Sequence, residues 1–451
     1  MTGARRLVPL LAALAAACAA PPPEAPQARN VVVVLVDTLR ADHLALYGYG
    51  RTTTPELDRW ARAEGVVFES ARAQAPCTFP SVNSLLTSRS PALFYARGKG
   101  GELGIPDSTP SLAARLDRAG FTTAAVSASP IVRATPSEEN PSAGFGAGFD
   151  RFDEFCLWRE AGCVTARARQ LVRELDEPFL LYLHYMDPHD PYRLPDGVAA
   201  RFAGAGPPEP EREFVRLGDP RPVAEHLYAG GPDPGLTAAD VAHWIDLYDD
   251  EIRYWDREFA PLAAELARRF PETAFVVLSD HGEEFLEHGH VKHCRTLYDT
   301  ELRVPIVLFA PGLAAGRVGA PAMNLDLVPT LLDLLGLPAV PGELEGTSLL
   351  ELAGEPRAAR GATRLQLATN GRLWAAVDGS YKLIQESAKR REELYDLGAD
   401  PGELTELGAR EPEPWGRLRR ELAAWRRGEG RAAVEGALEA ERKLRSVGYL
   451  Q

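Results

Sequence analysis

Three uninterrupted apolar runs restrict the fold of this 451-residue chain more than any other feature. They are NVVVVLVD (residues 30–37), PFLLYLHYMD (178–187) and TAFVVLSDH (273–281). Runs without polar alternation are typical of strands buried on both faces, as in a parallel sheet. Segments with helical periodicity, among them TPSLAARLDRAG and FAPLAAELARRF, lie between the runs. This alternation predicts a doubly wound α/β domain.

Each apolar run ends in acidic or histidine side chains. Asp37 ends the first run, His184, Asp187 and His189 surround the end of the second, and Asp280 and His281 end the third. Open α/β sheets bind ligands at the carboxyl ends of their strands, so these residues define a candidate site. The alternative is that they cap the helices that follow, which explains one such cluster more readily than three.

A threonine stands where a helix is predicted to begin, in the segment QAPCTFPSVNSLLTS. Thr78 has two interpretations there. It can be an N-cap, with its hydroxyl oxygen bonded to backbone N–H groups. It can also be a nucleophile, if a divalent metal lowers the pKa of its hydroxyl group.

The chain resembles the sulfatase family of the alkaline phosphatase superfamily. The resemblance rests on VVVVLVDTLRADHLALYGY, CTFPSVNSLLTS, LHYMDPHDPY, LSDHGEEFLEHG, LYDTELRVPIVL, DLVPTLLDLLGL and ELYDLGADPGE, which occur in this order after residue 29. It implies an alkaline-phosphatase-like three-layer α/β/α sandwich with a mostly parallel central sheet. A small C-terminal α+β subdomain is expected to follow.

The resemblance also bears on the nucleophile. Similar sulfatases carry Cys-x-Pro-x-Arg, whose cysteine is oxidised to formylglycine. Here Pro80 lies two residues after Thr78 but three after Cys77, and Val82 occupies the arginine position counted from Thr78. We therefore predict that Thr78 is the nucleophile, with a formylglycine formed from Cys77 as the alternative.

The metal site that the resemblance implies consists of Asp37, Asp280, His281 and the Thr78 oxygen. Thr38 follows Asp37 where related calcium sulfatases have a second aspartate, and His281 stands in place of an asparagine. A histidine in the ligand set favours a transition metal over Ca²⁺. We predict one divalent ion, with Mn²⁺ or Zn²⁺ favoured over Ca²⁺ or Mg²⁺.

The resemblance assigns roles to further residues. His189 and His293 align with family histidines that contact the substrate or protonate the leaving group. Arg40 and Lys292 are candidate cations for binding an anionic ester. A structural role is at least as plausible for His184, His288 and His290, and surface or packing roles are predicted for His43, His226 and His243.

These assignments predict a hydrolase of sulfuric or phosphoric esters that works by a two-step displacement. The alternatives are a phospho-alcohol headgroup transferase of the cell envelope and a non-catalytic binding protein with the same fold. The net charge of −14 argues against nucleic acid as a partner. An anionic ester therefore has to be attracted by a local metal or a few placed cations.

The predicted organisation begins with an export or lipoprotein-type signal (1–18), in which Cys18 is a candidate for lipidation, and a Pro-rich linker (19–28). A catalytic domain (29–361) with a surface insertion near 204–235 and a C-terminal subdomain with a helical tail (362–451) follow. We expect a bacterial protein exported to the envelope or periplasm, and assign no oligomeric state. Export permits disulfides, with Cys156–Cys163 and Cys77–Cys294 as candidate pairs.

Overall fold

A computed structural model describes residues 27–98, 103–207, 209, 212–229, 231, 234–340, 342–354, 364–386 and 388–428. The predicted signal with Cys18, most of the linker and the domain boundary at 361 lie outside the described residues. So does the tail after residue 428. Among the described helices, none combines the length and the apolar character that crossing a membrane requires.

Fourteen strands and twelve α-helices are named here. The strands are β1 Asn30–Val36, β2 Val66–Arg72, β3 Thr122–Ser127, β4 Arg151–Asp153, β5 Phe179–Tyr185, β6 Thr273–Leu278, β7 Glu284–Phe285, β8 Val291–Lys292, β9 Ile306–Phe309, β10 Gly316–Met323, β11 Gln366–Thr369, β12 Leu373–Asp378, β13 Tyr381–Glu386 and β14 Arg391–Asp396. The helices are α1 Pro55–Glu64, α2 Thr78–Thr87, α3 Pro91–Gly98, α4 Leu112–Arg118, α5 Ala161–Val172, α6 Glu213–Arg216, α7 Arg221–Tyr228, α8 Ala238–Arg269, α9 Asp299–Leu302, α10 Leu327–Leu334, α11 Leu349–Gly354 and α12 (412–428).

The central sheet has eight strands in the order β10-β2-β9-β6-β1-β5-β3-β4. The three apolar runs of the sequence form β6, β1 and β5, which are neighbours and run parallel. Only β9 runs antiparallel to its partners, β2 and β6. The carboxyl ends of the three runs therefore meet at one edge, as the sequence predicts.

Helices cover both faces of this sheet. Strand β1 shows the reason, because its alternate side chains enter two different cores. Val32 and Val34 pack in a cluster with residues of α5 and α8. Val31 and Val33 pack in a cluster with residues of α2, α4 and α10. The three-layer α/β/α arrangement is thus confirmed.

The predicted helix TPSLAARLDRAG is α4, and the Ser111 hydroxyl caps it by accepting from the Ala114 N–H. The segment FAPLAAELARRF is only the last part of α8, which has 32 residues and begins after a capping box at Thr237 and Asp240. The insertion near 204–235 carries α6 and α7, and Val215 and Val223 are buried there.

A second, smaller sheet lies near the end of the chain. Its four antiparallel strands follow each other in the order β11-β12-β13-β14. Leu418 and Leu422 of α12 pack against Leu383 and Leu394 of this sheet. The predicted C-terminal α+β region is therefore present in the described residues.

Candidate active site

The candidate site lies at the carboxyl edge of β1 and β6. Asp37 directly follows β1, and Asp280 and His281 follow β6. All three residues are fully buried. Thr78 is the first residue of α2, and its hydroxyl group reaches the same point. The sheet and one helix N-terminus thus bring together the four residues that were predicted as metal ligands.

Contacts around His281 fix the orientation of its ring. Its Nδ1 lies 3.0 Å from the Gly282 carbonyl oxygen, which can only accept, so we place the proton on Nδ1. The unprotonated Nε2 then faces Thr78 Oγ1 at 3.2 Å, Asp280 Oδ2 at 3.4 Å and Asp37 Oδ1 at 3.8 Å. One lone pair and two carboxylate oxygens thus converge, which is an unfavourable arrangement without a cation between them.

Two of these oxygens have no hydrogen-bond partner among the described residues. They are Asp37 Oδ1 and Asp280 Oδ2, and both are buried. The ligand atoms of Asp37, Asp280 and His281 lie within 4.8 Å of one another. Carboxylate oxygens, an imidazole nitrogen and a hydroxyl suit a borderline divalent ion. The residues present therefore fit a divalent metal.

Asp37 and Asp280 have pKa values shifted in opposite directions. Burial acts to raise the pKa of Asp37, but the hydrogen bond from His184 and the charge of His189 hold it well below its usual value. Burial and the nearby Asp37 carboxylate raise the pKa of Asp280 to about 6. The two carboxylates repel each other, which a bound cation would relieve.

Thr78 is not the cap of α2. Cys77 holds the N-cap position with extended backbone angles, and its carbonyl oxygen accepts from the Ser81 N–H at 3.1 Å. The Thr78 hydroxyl instead contacts His281. The capping interpretation of Thr78 is therefore not what the structure shows. Val82, at the position where the family has arginine, is fully buried in the core.

Both candidate disulfides are present. Cys156 bonds to Cys163, and Cys77 bonds to Cys294, which lies 217 residues further along the chain. The second bridge joins the residue before Thr78 to the residue after His293. It therefore links the N-terminus of α2 to the loop that follows β8, and the sulfur of Cys77 is not free.

A second polar group adjoins the first. His189 and His293 lie 5.0 Å apart between ring centroids, and the His293 ring lies 4.5 Å from that of His281. Lys292 Nζ lies 3.0 Å from Asp190 Oδ1. The atoms of His189, Asp190 and His293 are close enough to hold another ion, but Lys292 already supplies a positive charge there. The number of metal ions stays a prediction.

The two histidines differ in electrostatic surroundings. Burial acts to lower the pKa of His189, but the negative charges of Asp190, Asp37 and Glu283 raise it. Burial lowers the pKa of His293 well below the usual value, with His281 contributing in the same direction. His189 therefore carries a positive charge more readily than His293 does.

Arg40 is buried and makes several hydrogen bonds within the protein. Its guanidinium donates to the Asp42 carboxylate at 2.8 and 3.0 Å, to Glu287 at 2.6 Å and to the Glu283 carbonyl at 2.9 Å. These contacts take up its Nε and both terminal nitrogens. Arg40 thus holds the loop after β6 in place with four of its five N–H donors, and its role as a cation for the ester stays a prediction.

Sequence reasoning gave no role to Glu283, which the structure places in the site. This buried carboxyl group lies 3.0 Å from His293 Nδ1. Burial and nearby Asp190 raise its pKa to about 8. The only sequence signal is its place two residues after His281, where it looks like an ordinary surface acid.

Three of the other histidines make contacts within the protein. His184 donates to Asp37 Oδ2 at 3.1 Å and accepts from the Tyr182 hydroxyl at 3.0 Å, so it orients a predicted metal ligand. His288 stacks on Tyr298 with 3.6 Å between ring centroids. His43 is buried and lies 2.7 Å from the Asp249 carboxylate, which is a packing role.

A mostly parallel sheet with acidic residues at its carboxyl edge is typical of the alkaline-phosphatase-like class of α/β proteins. The family model "Sulfatase" matches residues 29–337, and the model "N-sulphoglucosamine sulphohydrolase, C-terminal" matches residues 286–422. The chain belongs to the sulfatase family, a family of sulfuric ester hydrolases.

Curated relatives agree with this assignment. The chain is 30% identical over 253 residues to choline-sulfatase of Rhizobium meliloti (strain 1021), covering 53% of this chain and 48% of that protein. It is 23% identical over 439 residues to the Δ4,5-hexuronate-2-O-sulfatase of Bacteroides thetaiotaomicron, covering 86% of each. The match thus spans about half the length of the choline-sulfatase.

Solved structures share the fold. A protein crystallised with its substrate D-glucosamine-2-N,6-O-disulfate superposes with a TM-score of 0.68 at 18% identity, covering 90% of this chain and 98% of that one. Phosphonate monoester hydrolase of Agrobacterium radiobacter superposes with a TM-score of 0.66 at 18% identity, covering 89% and 96%. The predicted alkaline-phosphatase-like fold is therefore confirmed.

Proposed function

We propose that this protein is a metal-dependent hydrolase of sulfuric or phosphoric esters in which Thr78 is the nucleophile. The observation that carries the proposal is the position of the Thr78 hydroxyl, 3.2 Å from His281 Nε2 and beside two buried carboxylate oxygens without partners. Sulfatases among the relatives favour a sulfuric ester, and a phosphonate monoester hydrolase among the similar folds keeps phosphoric esters in the proposal.

Asp37, Asp280, His281 and Thr78 would hold the metal, and we favour one Mn²⁺ or Zn²⁺ ion. When bound, a divalent cation lowers the pKa of a hydroxyl ligand and offsets the negative charge of the ester. His184 keeps Asp37 oriented, and the Gly282 carbonyl keeps the lone pair of His281 directed at the site. Such supporting hydrogen bonds are a regular part of metal sites.

The chain's own groups then account for the displacement. The Thr78 hydroxyl gives up its proton to solvent, and Oγ1 then forms a bond to sulfur or phosphorus while the bond from that atom to the alcohol oxygen breaks. The departing alkoxide takes a proton from His189, whose pKa the surrounding acids raise, and His293 beside it contacts the non-bridging oxygens. Lys292 places a positive charge near the non-bridging oxygens. Water then cleaves the ester on Thr78 and frees the hydroxyl group.

The disulfide supports Thr78 over Cys77. A cysteine bonded to Cys294 has no thiol left for oxidation to an aldehyde. Cys77 also occupies the cap position, one residue before the hydroxyl that contacts His281.

Mass spectrometry of the active-site peptide tests this proposal directly. Without reduction, trypsin is expected to release peptide 73–89 bonded through Cys77 to peptide 293–295. In metal-loaded enzyme quenched during turnover, Thr78 should carry a sulfuryl or phosphoryl group. The mass of this group identifies the ester class. An aldehyde at Cys77 with no bridge would refute the threonine mechanism.

Three variants separate the two nucleophiles by kinetics. Thr78→Ala should lower kcat about 10³-fold or more, because no other hydroxyl would replace the nucleophile. Cys77→Ala should keep most of the activity. Cys294→Ala is the matched control, since it opens the same disulfide. A threonine nucleophile predicts similar kcat values for the two cysteine variants, whereas a formylglycine predicts loss in Cys77→Ala alone.

We also propose that the protein is exported to the bacterial envelope and is anchored through Cys18. Two disulfides support an oxidising compartment. Cell fractionation should find the wild type in the membrane fraction. Metabolic labelling with a fatty acid should show that it carries a lipid. Cys18→Ser should abolish the label. A labelled Cys18→Ser variant would contradict the anchor.

A further inference from the structure

Glu283 is a fully buried acid whose side chain meets His293 in the second polar group of the candidate site. Its Oε1 lies 3.0 Å from His293 Nδ1, which is a normal hydrogen-bond distance. The proposed displacement leaves this acid without a task. Replacing buried ion pairs by apolar side chains of similar volume is often neutral or stabilising, so stability alone is a poor reason for an acid at this position.

The backbone on both sides of Glu283 is held by other segments. The Gly282 N–H donates to the Glu301 carbonyl at 2.8 Å, and the Arg40 guanidinium donates to the Glu283 carbonyl at 2.9 Å. A side chain at position 282 is excluded, because a Cβ atom there would lie 2.0 Å from the Thr300 carbonyl oxygen. The carboxyl group of Glu283 is therefore presented from a segment that is fixed on both sides.

The backbone of His293 is constrained as well. Its two neighbours, Lys292 and Cys294, have φ angles of 69° and 75°, in the left-handed region that residues other than glycine rarely adopt. The Cys294 N–H donates to the Pro76 carbonyl at 2.9 Å, and the Cys294 sulfur is bonded to Cys77. Backbone conformations imposed in this way cluster at functional sites. These constraints fix where the imidazole lies, but the rotation of the ring is left to the contacts of its nitrogens.

The contact with Glu283 sets this rotation. The ring of His293 cannot turn without breaking the hydrogen bond at Nδ1, so Nε2 is left for another partner. The rings of His189 and His281 lie 5.0 and 4.5 Å away between centroids, which places the imidazole inside the candidate site. A carboxyl group that holds one nitrogen of an imidazole while the other nitrogen works is a recurring arrangement in enzymes and metal sites.

We propose that Glu283 is a positioning residue, whose carboxyl group holds Nδ1 of His293 and thereby keeps Nε2 directed at the non-bridging oxygens of the ester. This inference rests on the proposed function, since it assumes that an ester bound beside Thr78 is contacted by His293. Glu283 itself touches neither the ester nor the reacting atoms, so its contribution to turnover passes through His293. The effect of replacing Glu283 should therefore depend on whether His293 is present.

A double-mutant cycle on the metal-loaded enzyme tests the proposal, with 4-nitrophenyl sulfate and 4-nitrophenyl phosphate as substrates. Glu283→Met removes the hydrogen bond at similar volume, so it should fold and lower kcat about 10- to 100-fold. Glu283→Gln can still bond to Nδ1 and should recover most of this loss. In a His293→Ala background, Glu283→Met should change kcat by less than about twofold. Equal losses in the two backgrounds, or equal losses in the Met and Gln variants, would overturn the proposal.

Glu284 is the matched control, since it is the next residue and is also fully buried. Its carboxyl group accepts from the His288 and His290 backbone N–H groups at 3.0 Å each, and none of its hydrogen bonds in the described part of the chain reaches His293. Any loss of kcat in Glu284→Met should therefore be the same with and without His293. If the loss in Glu284→Met depends on His293 as strongly as the loss in Glu283→Met does, the specific role of Glu283 is refuted.

Two binding measurements separate the orientation of His293 from a general loss of structure. Calorimetric titration with Mn²⁺ should give the same Kd for Glu283→Met and the wild type, because the predicted metal ligands are unchanged. Inhibition by inorganic phosphate or sulfate should weaken about tenfold in Glu283→Met, because a hydrogen bond to the anion is lost. An unchanged inhibition constant, or a loss of Mn²⁺ binding that accompanies the loss of kcat, would overturn the proposal.

Failure of this inference can be told apart from failure of the proposed function. If the wild type cleaves neither nitrophenyl ester, the proposed function fails. If the wild type cleaves one of them and the effect of Glu283→Met does not depend on His293, only the role of Glu283 fails.

Discussion

This protein has two buried clusters that each contain a pair of carboxylates, and the two pairs have different partners. The first is the candidate metal site with Asp37 and Asp280. The second, which we call the joint, connects the two sheets and contains Asp299 and Glu403. Asp37, Asp280 and Glu403 are at most 2% exposed, and the side chain of Asp299 is 11% exposed.

The joint contains its own cations. Arg72 at the end of β2 donates to both Asp299 oxygens at 2.9 and 2.6 Å. Lys382 of β13 is fully buried and lies 2.9 Å from Asp299 and 2.8 Å from Glu403. Two acids therefore face two bases, and no external charge is required.

Among the described residues, no lysine or arginine forms an ion pair with Asp37 or Asp280. Asp37 and Asp280 face Nε2 of His281, and one oxygen of each acid has no partner among the described residues. The comparison teaches that burial of acids alone does not mark a functional site. What distinguishes the site is a charge that the surrounding chain leaves unbalanced.

The largest expected effect comes from removing one carboxylate of the site. Asp280→Asn should lower kcat about 10³-fold, because a predicted metal ligand is lost. The metal-free variant should unfold at the same temperature as the wild type or higher, since repulsion from Asp37 is relieved. Adding Mn²⁺ or Zn²⁺ at 100 times Kd should stabilise the wild type by about 2.7 kcal/mol and the variant by much less. Equal stabilisation of both would contradict the assignment of the ligand.

Removing a cation from the joint should instead destabilise the fold. Lys382→Met leaves Asp299 and Glu403 less compensated, so the free energy of unfolding should fall by about 3–5 kcal/mol in denaturant titrations. Lys389→Met is the control, because Lys389 is exposed, and it should change stability by less than about 0.5 kcal/mol. Similar losses in the two variants would show that the joint is not a tightly coupled cluster.

The smallest expected effect is a loss of folding stability at acidic pH. Burial acts to raise the pKa of Asp299, but Arg72 and Lys382 hold it well below its usual value. A carboxyl group with a lowered pKa stabilises the folded state above its unfolded pKa of about 3.9, and this stabilisation is lost as the pH falls further. Unfolding curves between pH 5 and 2 should therefore show a loss that Asp299→Asn makes shallower. An unaltered pH dependence in that variant would contradict the contribution of Asp299.

The sequence was sufficient to predict the centre of the site because its strands are unusually regular. Continuous apolar runs identified β1, β5 and β6, and their order in a parallel sheet placed Asp37 and Asp280 together. The helix start at Thr78 followed from local spacing. These features depend on neighbouring residues in the chain, which a sequence displays directly.

The acids of α8 show why the rest could not be predicted. The segment LYDDEIRYWD reads as a solvated helix face, yet Asp249, Asp250 and Glu251 are all buried. Their partners come from distant segments: Asp249 meets His43, Asp250 accepts from backbone N–H groups of residues 201–203, and Glu251 accepts from Arg193. Periodicity contains no information about such partners. The sequence therefore did not indicate where α8 begins or that these three acids are buried.

The Cys77–Cys294 bridge has a consequence for how the protein is made. Cys77 leaves the ribosome 217 residues before its partner, so its thiol remains free until most of the chain has been synthesised. In a reducing cytosol the bridge does not form, and two thiols remain beside Thr78. Thiolates bind Zn²⁺ strongly and would compete with the oxygen ligands of the site. The compartment chosen for expression therefore helps to determine which metal the purified protein contains.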